Sequence, residues 1–190
     1  MADFAKCAAV ALKFEGVNPE GEYREDGGVP SKFGVTPEMI RCSSGDIEAF
    51  DKNGDGRITN KDIKKLTFDD AVAVYKQVYW DGWGLDALDD NQKALLALDA
   101  SLNHGRKVGA KIIQKALIAL GHDAVVADGV YGPQTRKAMD EASTEEFVDA
   151  YFASRKRYYE ALADAYSNQK PNLPKWMARL DRLKEALNGL

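Results

Sequence analysis

The sequence predicts a mainly α protein that also carries a small β-hairpin and loop region and one EF-hand-like loop. Apolar residues recur at helical spacing through most of the 190 residues. The stretches begin at capping residues and stop at Gly or Pro. Strand candidates are confined to a segment between 16 and 36 that is rich in Gly, Pro and charge.

Taken in order, Phe4, Ala8 and Ala11 share one face of a first helix from Asp3 to Phe14, Glu15 falls on the same face, and Gly16 ends it. A carboxylate at the end of a buried stripe is costly, which singles Glu15 out as a candidate for chemistry. Glu22-Tyr23 and Lys32-Phe33-Gly34-Val35 are the extended candidates of a hairpin. Thr67 and Asp70 form a capping box before a helix bearing Ala71, Val74, Tyr75 and Val78. Leu95, Leu98 and Leu102 face inward on a helix from about Asp90 to His104, closed by Gly105. Ile112, Ile113, Ala116 and Leu117 do so on another, from about Val108 to Leu120. Pro133 suits the first turn of a short helix, Ser143 and Glu146 cap a long one reaching Tyr166, and Pro174 opens the last, through Leu187. Neither a linker nor a repeat divides the chain, so one body is expected.

A net charge of −4 argues against a nucleic-acid binder. No apolar run approaches the ~20 residues that cross a bilayer, so stable membrane insertion is not expected. Lys6 and Lys13 interrupt the first apolar stretch and no basic leader precedes it, so synthesis in the cytoplasm without a signal peptide is expected. Residues 151–190 carry eight Lys/Arg against four Asp/Glu, either a solvated helix face or a surface for an anionic envelope. Cys7 and Cys42 define no disulfide framework; two buried, reduced thiols are the default, with one disulfide after export left open.

Residues 51–62 read DKNGDGRITNKD. Asp51, Asn53 and Asp55 stand at positions 1, 3 and 5 of a twelve-residue calcium loop, Gly56 at its sharp turn, Arg57 offering a carbonyl and Ile58 an apolar anchor. Position 12 is Asp62 instead of the usual Glu, which shortens its reach. The expected cofactor is therefore Ca2+, structural or regulatory, a single loop suggesting a clip on the fold more than a sensor, with none required for the chemistry. The same residues would also make a plain Asn/Asp/Gly turn.

Several ordered segments resemble one family, the glycoside hydrolase family 108 muramidases of phage endolysins. Lys13-Phe14-Glu15-Gly16 resembles the start of the family's EGGY motif, Asp26-Gly27-Gly28 its DPGG, and Lys32-Phe33-Gly34-Val35-Thr36 its KYGIT. Tyr79-Trp80-Asp81 is similar to its YWD. Asp99 to Gly105 looks like the D-x-x-x-N-x-G opening of the associated peptidoglycan-binding segment, and Asp128 to Thr135 like its DGxxGPxT. Arg155, Tyr158, Tyr159, Trp176 and Arg179 match its closing helices. Two departures stand out: Val17-Asn18-Pro19 follows where Gly-Tyr is usual, and EGEY at Glu20–Tyr23 offers a competing alignment.

The resemblance implies a lysozyme-like helical catalytic region over 1–98, including the calcium loop, and a helical peptidoglycan-binding region over 99–190 in the same globule. It implies cleavage of the β-1,4 bond between N-acetylmuramic acid and N-acetylglucosamine, with Glu15 as general acid, its pKa raised by burial. Asp26 is the candidate for the ionised partner, although an Asx-turn residue would look the same, and Thr36 could orient a water. Tyr79, Trp80, Asn103 and Tyr131 are the substrate-lining candidates, with core packing an equal account of the aromatic ones. Peptidoglycan glycan strands are the expected partner and a monomer the expected state. The setting would be phage-type lysis of a host, or export of a bacterial toxin. A non-catalytic calcium-dependent wall-binding module and a lytic transglycosylase are the competing readings.

Overall fold

The computed structural model describes residues 1–43 and 45–190. It is a helical body with one two-stranded sheet among the described residues. Helix α1 (Phe4–Phe14) starts where Asp3 accepts from the N–H groups of Ala5 and Lys6, and it buries Cys7, Ala8, Ala11 and Leu12.

Strands β1 (Tyr23–Asp26) and β2 (Val29–Lys32) pair antiparallel through a two-residue turn at Gly27-Gly28, both with positive φ. The second strand lies earlier than the sequence suggested. Lys32 and Val35 exchange backbone hydrogen bonds around Phe33 (φ 53) and Gly34 (φ 76), so the KFGV stretch is a tight reversal and not a strand. Gly34 is required there: a Cβ would stand 2.5 Å from the Tyr75 hydroxyl.

Short helices α2 (Pro37–Arg41) and α3 (Asn60–Lys65) flank the 51–62 loop. Helix α4 (Phe68–Tyr75) begins with the expected Thr67/Asp70 capping box and continues as a π turn through Lys76–Trp80. Helix α5 (Asn91–Ala119) is broken at Gly105 (φ 73, ψ 157), where the sequence predicted one helix ending and another beginning. Beyond the break it folds close against itself, since a Cβ on Gly109 would lie 2.7 Å from the Ala100 carbonyl oxygen. Helices α6 (Pro133–Glu141), α7 (Thr144–Ala165) and α8 (Leu173–Leu187) complete the body. Pro133 stands in the first turn of α6 and Ser143 accepts from the Glu146 N–H, both as expected.

Two apolar clusters hold these elements. The larger joins Cys7 and Ala11 of α1, Trp80 and Trp83, the inner faces of α5 and α7, and Leu183 and Leu187 of α8. The smaller packs Phe33, Val35, Ile40, Phe50, Ile63 and Val74 beneath the hairpin and loop. Phe4, Tyr79 and Leu102 pack against both, so they mark the seam between them.

Polar side chains fix the second half internally. Gln114, 1% exposed, donates to Asp128 Oδ1 (2.8 Å) and the Val130 carbonyl (2.9 Å), has Thr135 Oγ1 3.2 Å from the same nitrogen, and accepts from the Gly129 N–H (2.9 Å). The Asp128–Thr135 motif is thus a loop wrapped around one buried amide. Cys7 is buried, and burial together with Asp3 and Asp90 pushes its thiol up to about 12. Cys42 is exposed, which corrects the expectation of two buried thiols. Among the described residues no helix is long and apolar enough to cross a membrane.

Candidate active site

A groove of about 560 Å³ opens at the seam, lined by Glu15, Glu20, Glu22, Arg24, Asp26, Met39, Tyr75, Tyr79 and Leu102 among others. Four carboxylates and one arginine make it acidic. A polyanionic chain would be repelled, whereas sugar hydroxyls could be held by hydrogen bonds and sugar faces by the tyrosines.

Glu15 reaches the groove because it is the residue on which α1 ends, its N–H still bonded to the Ala11 and Leu12 carbonyls. The expectation of a buried carboxylate is not met: the residue is exposed and its side chain keeps 26% of its surface. The apolar stripe of α1 stops at Leu12, and one turn later the facing helix α8 offers a cation in place of apolar surface. Arg179 Nη2 donates to Glu15 Oε1 at 2.6 Å and to Asp99 Oδ1 at 2.7 Å, while Nη1 donates to the Phe14 carbonyl at 3.1 Å. Its guanidinium lies 5.3 Å over the Phe14 ring.

Behind that pair lies a fully buried ion pair. Asp99 and Arg155 are both 0% exposed, and Arg155 Nη1 donates to Asp99 Oδ2. Arg155 also donates to the Tyr151 hydroxyl (2.8 Å), the Tyr159 hydroxyl (3.3 Å) and Asn103 Oδ1 (2.9 Å). Burial alone would lower the Arg155 guanidinium, but Tyr151, Asp99 and Tyr159 reverse that and raise it. His104 sits 3.3 Å from the Tyr159 hydroxyl, and burial with the charges of Arg155 and Arg179 pushes it down to about 3. It is therefore a neutral imidazole near pH 7, not a proton shuttle.

The sequence candidates separate on this geometry. Glu15, Asp26 and Tyr79 line one groove. Asp26 is exposed at the end of β1. Thr36 is elsewhere: it caps α2, accepting from the Met39 N–H at 3.3 Å, and borders a different hollow with Gly28 and Arg41. Trp80, 1% exposed and edge-on to Phe4, belongs to the core and offers no face to a sugar. Tyr131 is 8% exposed, stacks on Trp83 at 4.5 Å, and lines a hollow with Arg106 and Lys107 instead of the Glu15 groove. Asn103 serves the buried network. Glu20, the competing alignment, lies in the same groove as Glu15 but is exposed in the loop before β1.

The 51–62 loop is held by its own acidic residues. Asp51 accepts from the N–H groups of Gly54, Asp55 and Gly56, Asn53 from Asp55, and Asp55 from Arg57. Gly54 and Gly56 take positive φ. Asp62, 0% exposed, accepts from the Asn53 and Thr59 N–H groups and closes a capping box on α3. Burial alone would raise its carboxyl; the donors on Thr59, Asn53 and Lys52 outweigh it and lower it. Among the described residues no three His, Cys, Asp or Glu side chains converge closely enough to hold a metal ion. The oxygens of Asp51, Asn53, Asp55 and Asp62 and the Arg57 carbonyl remain the chemically suitable donors for calcium.

Asp99, Arg155 and Arg179 stood in sequence motifs without an assigned role. Charge in a motif flanked by apolar helix positions was the available signal; partners as far apart as Glu15 and Arg179 were not inferable from spacing.

A model of the family described as Glycosyl hydrolase 108 matches residues 10–105, and one described as Predicted Peptidoglycan domain matches residues 108–181. The two matches meet next to the Gly105 break. Among solved structures the chain resembles that of Brucella abortus SagA, at 21% identity, over 98% of this chain and 94% of that one, with a TM-score of 0.64. That likeness shows a shared fold. No curated protein matches the chain.

Proposed function

The chain belongs to the glycosyl hydrolase 108 family, and from that premise we propose that it cleaves the β-1,4 bond between N-acetylmuramic acid and N-acetylglucosamine, with Glu15 as general acid. The two family matches make it a glycoside hydrolase acting on peptidoglycan, and so on the cell wall. The observation that carries the finer reading is that Glu15 and Asp26 line one groove beside Tyr75 and Tyr79.

A glycosidic oxygen leaves readily only when protonated as the bond breaks. Glu15 gives its proton to that oxygen while the bond to the anomeric carbon breaks. Water then adds to the anomeric carbon and passes a proton to an ionised carboxylate, the role given to Asp26. Positioned acid catalysis contributes roughly 10²–10⁴-fold. Tyr79, half-buried at the seam, offers a stacking face. Calcium at the 51–62 loop would act on stability alone, through Asp51, Asn53, Asp55, Asp62 and the Arg57 carbonyl. Lysis of a host cell is the role this activity suits.

The test is digestion of purified peptidoglycan by wild type, Glu15→Gln and Glu20→Gln, with products identified by mass. Reducing muramic ends from wild type and from Glu20→Gln, with a folded but inactive Glu15→Gln, is the expected result. Activity kept by Glu15→Gln and lost by Glu20→Gln would move the acid to Glu20. Anhydro products would make the enzyme a transglycosylase, and wall binding without cleavage would make it a binding module.

A further inference from the structure

Arg179 lies in the segment matched as a peptidoglycan domain, yet it touches the carboxylate on which the chemistry is placed. Its position is over-determined. One nitrogen is shared between Glu15 and buried Asp99, the other is tied to the Phe14 carbonyl, and the cation covers the Phe14 ring. Asp99 is in turn fixed by Arg155, which three further side chains hold from α5 and α7. A chain of charged hydrogen bonds thus runs from the centre of the second segment to Glu15, the residue just past α1. Asp99 balances one arginine and Glu15 the other.

We propose that Arg179 is a positioning residue for Glu15, through which the peptidoglycan-binding region sets where the catalytic carboxylate points. The proposal rests on the reading of Glu15 as general acid. A guanidinium held at both nitrogens fixes the direction of the carboxylate oxygen it meets, and a proton donor must keep that direction to reach the glycosidic oxygen. Other charges around Glu15 do not replace this contact. Glu20, Glu22 and Asp26 share the groove with Arg24 and hydrogen-bond no part of Glu15 among the described residues. The phenols of Tyr75 and Tyr79 are raised, chiefly by burial, and stay neutral. His104, from α5, is uncharged near pH 7.

The test is kcat and KM on soluble peptidoglycan fragments for full-length wild type, Arg179→Gln, Arg179→Lys and Glu15→Gln, with folding checked by circular dichroism. Loss of orientation should lower kcat roughly 10–100-fold in Arg179→Gln, with a smaller change in KM. Lysine keeps the charge but not the fork, so Arg179→Lys should lose kcat in the same way, which a need for charge alone would not produce. A wild-type kcat in a folded Arg179→Gln would overturn the proposal. If Arg179→Gln does not fold, a wild-type kcat in Arg179→Lys would overturn it instead. A fully active Glu15→Gln would mean that the acid itself was misassigned, a failure separate from that of Arg179.

Discussion

Replacing Asp99 by Asn should be among the most damaging single-atom changes this protein can suffer. Asp99 is 0% exposed and accepts from two arginines, one of them also 0% exposed. Asparagine keeps the shape and one acceptor but removes the negative charge, leaving Arg155 buried with neutral partners only. Breaking a buried pair from one side typically costs about 3–5 kcal/mol. That is a large share of the ~5–15 kcal/mol that holds a typical domain together. For a chain of this size each kcal/mol lowers Tm by about 2–4 °C, so a fall on the order of 6–20 °C is expected. Thermal melts of wild type, Asp99→Asn, Arg155→Met and the double variant would measure it. The double variant should be more stable than the summed single losses predict, because the orphaned charge is gone. A Tm within about 2 °C of wild type for Asp99→Asn would refute the reasoning.

Other expectations follow from separate features. Asp70 caps α4 and pairs with Lys52 at 2.9 Å; burial raises its carboxyl, but Thr67 and Lys52 outweigh that and lower it. Its folded pKa lies below its unfolded one, so its contribution is present above about pH 4 and fades as pH falls through the folded value. Asp70→Asn should therefore cost about 1 kcal/mol at pH 7 and less by pH 3, and melts showing an equal cost at both would count against this. The Tyr131 hydroxyl is buried without a partner among the described residues, so Tyr131→Phe should leave Tm unchanged or raise it slightly, while a clear fall would reveal a partner for that group. Calcium at a hundredfold excess over its Kd should add about 2.7 kcal/mol of stability, and identical melting in calcium and in chelator would remove the metal from the 51–62 loop.

Where local chemistry decides, the chain can be read directly. The Thr67/Asp70 box, the Gly105 break, Pro133 and the Ser143 cap all act within a few residues, and each falls where its side chain predicts. The hairpin was placed too late because Phe33 takes positive φ, which a β-propensity reading does not anticipate for an aromatic residue. The sequence singles Glu15 out as a candidate but says nothing of its setting. Helical periodicity says which face it shares with Ala8 and Ala11, not that α8 brings Arg179 to that spot. Trp80 and Tyr131 show the matching difficulty for aromatics, since a ring that could stack on a sugar is equally suited to the core, and here both rings are buried.

The larger apolar cluster takes residues from both matched segments, Ala11, Trp80 and Leu95 from the first and Ile112, Phe147 and Tyr151 from the second. A wall-binding module on a flexible tether can swing, search and be traded between enzymes by recombination. Here the two segments share one core and lack that freedom. Each leaves apolar surface bare without the other, so a foreign binding segment would have to match α1 and α5 side chain for side chain. If the second segment grips the wall and the Glu15 groove cuts it, the spacing between those two points is set by the body of the protein and not by a tether.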